Sequence, residues 1–116
     1  FVLQHAGMLE DTSGGGWAAW RAGMKHLAAC PNVVSKLSAF GTFIHRNDPA
    51  FIADMVAETV GIFGAERCLF GSNFPIEKIW TSYAELFAAF RKAASGLSAD
   101  QQAAIFEGTA RRVYRL

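Results

Sequence analysis

Residues 67–75 read Arg-Cys-Leu-Phe-Gly-Ser-Asn-Phe-Pro. Arg67 to Ser72 forms a short strand, and Asn73-Phe74-Pro75 is the loop into which it runs. On both sides of this block the apolar period changes. Upstream, Asp48-Pro49 starts a helix, with Asp as N-cap and Pro in the first turn. Phe51, Ile52, Met55, Val56, Thr59 and Val60 give that helix one buried stripe as far as Gly61 or Gly64. Downstream, a helix runs from Thr81 or Ser82 to Ala94, with Tyr83, Leu86, Phe87 and Phe90 as its stripe.

The same alternation continues outward. Val33 to Ser38 reads as a strand, placing Val34, Lys36 and Ser38 on one face and Val33, Ser35 and Leu37 on the other. The segment from Ala39 to Asp48 reads as a loop carrying Gly41, His45 and Arg46. Trp17 to Ala29 reads as a helix with Trp17, Trp20, Met24 and Leu27 in one stripe, stopped by Pro31. Gly14-Gly15-Gly16 before it lacks the Lys and the preceding strand of a phosphate-binding loop, and reads as a flexible loop and cap. Residues 1–5 read as the end of a strand closing on His5. Near the other end, Ser98 and Gln101 make a capping box for a helix to about Glu107. Gly108-Thr109 is then expected to break that helix and cap a last short one ending at Val113-Tyr114.

The order is strand, helix, strand, helix, strand, helix, helix, with strand starts about 33 residues apart, the length of a βα unit. Such alternation gives an α/β class fold with a parallel sheet and helices outside. Three strands do not close a barrel, which takes eight strands in about 250 residues. The whole chain, 1–116, therefore reads as one partial domain.

Composition points the same way. With glycine counted in and tyrosine left out, the apolar share is about 60%, against about 45–50% in ordinary domains. A small domain has much surface to cover with polar groups. The chain is therefore expected to associate as a homo-oligomer, or to be one piece of a larger core. The net charge is +1, and no basic stripe speaks for nucleic acid. No apolar run reaches the roughly 20 residues of a membrane helix. Cys30 and Cys68 are far apart and belong to no CxxC pair, which reads as reduced thiols in a cytoplasmic protein. His26, inside the first helix, reads as a surface residue.

In parallel α/β folds, ligands bind where the strands end. The three strands end on His5, on Lys36-Leu37-Ser38, and on Ser72-Asn73. Taken singly, each has a structural reading: a rim histidine, an inter-strand lysine, a turn asparagine. Together, in register, they read as one site for a small molecule. Lys36 suits an anionic or carbonyl group, and Ser38 shares its face. Past the strand ends, Arg46 suits a carboxylate, with His45 beside it. Glu77 is either a base or an acid favoured by a helix start, and Trp80 is a candidate pocket wall.

The runs LQHAGM (3–8), NVVSKLSAFGTF (32–43), FGAERCLFGSNFPIEKIWTSY (63–83) and FEGTARRVYRL (106–116) resemble the amidohydrolase-related family, the branch of the amidohydrolase superfamily that includes lactonases and decarboxylases. The resemblance covers essentially the whole chain. It implies a distorted TIM barrel, of which these would be about strands six to eight, and a metal-dependent hydrolase or lactonase-like activity. It implies that His5 matches a mid-barrel histidine, a catalytic residue and ligand for one divalent ion such as zinc or manganese. Asn73 stands where the family has a catalytic Asp. An amide is neither a general base nor a good transition-metal ligand, so a metal-free mechanism is open as well. The leading expectation is hydrolysis of a lactone or amide, with water placed by His5 and Asn73. A decarboxylase is the near alternative, and would call for a carboxylate-binding arginine. An inactive fragment that associates through its open sheet edges is the other.

Overall fold

A computed structural model describes all 116 residues. Three strands, β1 (Val2–Leu3), β2 (Val34–Leu37) and β3 (Cys68–Phe70), form a parallel sheet in the order β1-β2-β3. Val2 pairs with Val34, and Ser35 with Cys68. The crossovers are α1 (Gly14–Ala28) and α3 (Pro49–Phe63), and α4 (Tyr83–Ala93) follows β3. The expected α/β alternation is thus present, with shorter strands than the sequence suggests.

The period-two reading of β2 decides which face is which. Val33 and Leu37 join the buried apolar cluster under the helices, together with Met24, Ile52, Met55, Phe90 and Cys68. Lys36 and Ser38 point the other way, into a cavity at the strand ends. Phenylalanines weld the helices to the sheet: Phe70 meets Phe90 edge-on at 4.9 Å, and Phe40 stacks on Phe90 at 5.5 Å. Offset and edge-on pairs of this kind add about 0.5–1.5 kcal/mol beyond the area they bury. Cys30 is exposed, Cys68 is buried, and both are free thiols.

Three local expectations are corrected. Gly14, Gly15 and Gly16 are not a flexible loop but the first turn of α1. Ser13 caps that turn by accepting from the Gly16 amide at 3.2 Å, and Asp11 in turn accepts from the Ser13 amide at 2.9 Å. A Cβ on Gly16 would lie 2.0 Å from the Asp11 carbonyl oxygen, so the tight fold-back excludes any larger residue. The segment after β2 is not wholly loop, because Phe40–Ile44 forms a one-turn helix, α2. It is pinned by the buried Phe40 rather than announced by a period, since five residues are too few to show one. Finally, Gly108-Thr109 does not break the last helix. Residues Ala99–Ala103 (α5) run through a π turn at Ala104–Gly108 into Thr109–Tyr114 (α6), and Gly108 keeps helical angles of −59° and −45°. Thr109 is buried and donates its hydroxyl to the Glu66 carbonyl at 3.1 Å, so it ties the helix to the turn between α3 and β3 rather than capping anything.

No helix is long and apolar enough to cross a membrane.

Candidate active site

Each strand leaves the sheet through left-handed backbone. After β1, His5, Ala6, Gly7 and Met8 all have positive φ, at 54°, 46°, 73° and 58°. After β2 it is Ala39 (61°), and after β3 Asn73 (56°). For residues other than glycine such angles cost on the order of 1–2 kcal/mol, and persist only where the surroundings enforce them. Around His5 that enforcement is visible: buried Trp20 donates its indole N–H to the Ala6 carbonyl at 2.7 Å. The sharp turn aims the imidazole back across the strand ends.

There, His5 Nδ1 lies 2.8 Å from Ser38 Oγ. That distance suits a nucleophile and its base, but Ser38 is only 1% exposed and closed to attack. Its hydroxyl is instead the partner that orients the imidazole, and His5 lines the cavity. Burial is the main cause that lowers the His5 pKa from its ordinary 6.5; the positive charge of Lys36 adds to it, and Glu77 opposes it. The imidazole is therefore neutral near pH 7, with one nitrogen able to accept a proton.

His5, Lys36, Ser38, Ser72 and Asn73 line one cavity of about 450 Å³, with Tyr114 from α6 as a further wall. Tyr114 was not singled out in the sequence; it lies on a terminal helix far along the chain, and only folding brings it here. Lys36 makes no ion pair with any side chain of the chain. It passes over Gly71, where a Cβ would come within 2.6 Å of its Cε. Glycine at this position is what lets the lysine cross the neighbouring strand.

The other expected site residues stand elsewhere. Arg46 is 64% exposed on its side chain and pairs with Asp48 at 3.3 Å, so it is a loop charge and not a wall of the cavity. His45 stacks on Trp80 at 5.3 Å with the planes 15° apart, and neither lines the cavity. Glu77 is fully buried and does not line the cavity either. It sits beneath Asn73, accepting from Thr42 Oγ1 at 2.7 Å and from Asn73 Nδ2 at 3.2 Å. Thr42 and Gly41 were not recognised as part of the site in the sequence.

The donor set does not fit a divalent ion by itself. No group of three His, Cys, Asp or Glu side chains gathers anywhere in the chain. The strand ends offer one imidazole and one amide, and the nearest carboxylate is bonded to Thr42 and Asn73. These residues alone do not build a metal centre.

A family profile described as Amidohydrolase matches residues 1–116. The chain belongs to the amidohydrolase family. It is 36% identical to the L-fucono-1,5-lactonase of Burkholderia multivorans, over 99% of this chain and 43% of the relative. It superposes on the crystal structure of a Burkholderia multivorans amidohydrolase with bound HEPES at a TM-score of 0.92 and 33% identity, over 99% of this chain and 44% of that one. A second crystal form of that amidohydrolase, with bound zinc, gives a TM-score of 0.90 over 43% of its length. The chain thus spans about two fifths of the length of the relatives it matches. Its sheet and helices are placed as in the matching part of those structures.

Proposed function

We propose that this chain is the portion of a lactone hydrolase that carries about strands six to eight of a distorted TIM barrel, with a sugar-type 1,5-lactone as substrate. The observation that carries this is the convergence of all three strand ends on one cavity, in a chain 36% identical to an L-fucono-1,5-lactonase. A small, polar, cyclic ester fits a cavity of about 450 Å³ that presents an ammonium, an imidazole and an amide.

The reaction follows from the groups in place. The reaction uses the tautomer in which Nδ1–H donates to Ser38, so that His5 Nε2 holds the lone pair that takes a proton from water. Asn73 holds the same water by a second hydrogen bond. The oxygen then attacks the lactone carbonyl, whose developing negative charge lies within reach of the Lys36 ammonium. The ring C–O bond then breaks, the leaving oxygen takes the proton back from His5 Nε2 to become the product hydroxyl, and Lys36 retains the new carboxylate until release. Arg46 stands away from the cavity in a surface pair with Asp48. This favours hydrolysis over decarboxylation, which would call for an arginine on the substrate carboxylate. Both open edges of the sheet are closed, on this reading, by further βα units of the same domain.

The test is base-titrated hydrolysis of sugar 1,5-lactones by the full reading frame that contains this chain. Wild type is expected to open the lactone and His5→Ala to lose at least about a hundredfold in kcat, the lower range for a general base. A His5→Ala enzyme as fast as wild type ends the proposal. Rates abolished by chelation and restored by zinc or manganese would overturn the assignment of His5 as the base and make it a ligand.

A further inference from the structure

Asn73 can act on the cavity in two opposite ways. Its oxygen can accept from water or a hydroxyl, or its NH2 can donate to a carbonyl oxygen. The buried layer beneath it decides between them.

Glu77 is 0% exposed; its Oε2 is the acceptor that meets Thr42 and Asn73, while Oε1 has no hydrogen-bond partner. Thr42 Oγ1 lies 2.7 Å from Glu77 Oε2, so the single hydroxyl proton of Thr42 goes to Glu77. The lone pairs of Thr42 then face outward, toward Asn73. The end of Asn73 that lies 3.2 Å from Glu77 Oε2 and 3.3 Å from Thr42 Oγ1 meets two acceptors, and it must be the NH2. The orientation of the amide is thereby dictated by its partners' chemistry. Asn73 Oδ1, at the opposite end, bonds no protein group, and Asn73 lines the cavity. We infer that Glu77 is a positioning residue: with Thr42, it locks Asn73 as a hydrogen-bond acceptor toward the cavity. Asn73 receives a hydrogen bond from the attacking water or from a substrate hydroxyl, and it does not donate to the scissile carbonyl.

Gly41 completes the arrangement. A Cβ there would lie 2.4 Å from Glu77 Oε1, so the carboxylate occupies space that only glycine leaves open. The same layer explains why residue 73 is an amide. An aspartate in its place would set acceptor oxygens against Glu77 Oε2 and Thr42 Oγ1, with no N–H to offer either.

The catalytic consequence rests on the lactone reading above; the lock itself does not. Two measurements on the full reading frame separate them. The first is a thermal double-mutant cycle of Asn73→Asp, Glu77→Gln and the pair together. In the double variant donor and acceptor are exchanged, because the amide introduced at position 77 donates to the carboxylate introduced at position 73. Asn73→Asp is expected to lower Tm by several degrees, and the double variant to recover more than half of that loss. Additive losses overturn the lock. The second is kinetics of Glu77→Leu on the 1,5-lactone. It is expected to lower kcat about tenfold or more while KM stays within about twofold, the pattern of a misplaced water rather than lost binding. An unchanged kcat overturns the positioning role. Should Glu77→Leu fail to fold, Thr42→Val carries the kinetic test, with a smaller loss of kcat expected and an unchanged kcat again overturning the role. A wild type inert toward lactones refutes the proposed substrate, while the thermal cycle still reads the lock.

Discussion

Gly41→Ala puts the geometry beneath the site under direct strain. The added Cβ would stand 2.4 Å from Glu77 Oε1, 3.5 Å from its carboxyl carbon and 3.0 Å from the Arg46 carbonyl oxygen. No rotamer relieves this, because the obstruction is met by Cβ itself. Two responses are open. If Glu77 holds its place, α2 must shift, and overpacking of this kind costs about 1–3 kcal/mol. If Glu77 yields, the Thr42 hydroxyl and the Asn73 amide lose their acceptor, at about 0.5–1.5 kcal/mol each. The two responses are alternatives, so the molecule takes the cheaper, and both centre near 2 kcal/mol. For a domain of 150–250 residues that lowers Tm by roughly 4–8 °C. Thermal unfolding of the full reading frame measures it. The control is Gly61→Ala in α3, where a Cβ meets nothing within 4 Å. There the helix is expected to gain up to about 0.8–1.0 kcal/mol from better propensity. Were Gly41→Ala as stable as wild type, Glu77 would not lie against Gly41, and the buried layer would have a different arrangement.

Other consequences can be read from the same geometry. Burial and Lys36 hold the His5 pKa below 6.5. The folded protein therefore binds fewer protons there than the unfolded chain, and this contribution to stability is present above pH 6.5 and lost as the pH falls toward the lowered value. The acid limb of kcat/KM should accordingly lie below pH 6.5 and move upward in Lys36→Met; a limb that stays put would show that His5 does not set it. Gly71→Ala should push Lys36 off its path and crowd Ser38, whose Cβ would be 3.3 Å away, lowering lactone turnover with little change in unfolding. Equal turnover would free Lys36 from any role. Asn73→Gly keeps the positive φ at no steric cost, whereas Asn73→Ala strains it by about 1–2 kcal/mol. Both lose the amide, so both should lose activity, but Ala should be the less stable in thermal unfolding. The reverse order would mean that Asn73 is not left-handed in solution.

Much of the scaffold was legible because it is periodic. The stripes of α1, α3 and α4, the alternation along β2, and the caps at Asp48 and Ser98 are repeats or local rules. What escaped has no period. The one-turn α2 is held by a single buried phenylalanine. The glycines at 14 to 16 suggest flexibility until Asp11 and Ser13 are seen to close around them. The site divides along the same line. His5, Lys36, Ser38 and Asn73 could be named because strand ends face ligands in this class of fold. Glu77, Arg46, His45 and Trp80 follow loops whose course is set by tertiary contacts, and side-chain type alone placed them in the cavity. Buried against Gly41, Glu77 acts from beneath.

The left-handed residues connect these two layers. A fold that needed only to turn at each strand end could use glycine there without penalty. This chain puts His5, Ala39 and Asn73 in those conformations instead. At His5 and Asn73 the left-handed residue carries a side chain that lines the cavity. Ala39 bears no reactive group, but it is buried where β2 gives way to α2, one residue after the Ser38 that orients His5. Its left-handed turn brings Phe40 into the core and Thr42 onto Glu77. The strain at position 39 therefore serves Asn73 from a distance. The turn after one strand sets the amide at the end of the next, so the site is a property of adjacent βα units together rather than of any single strand end.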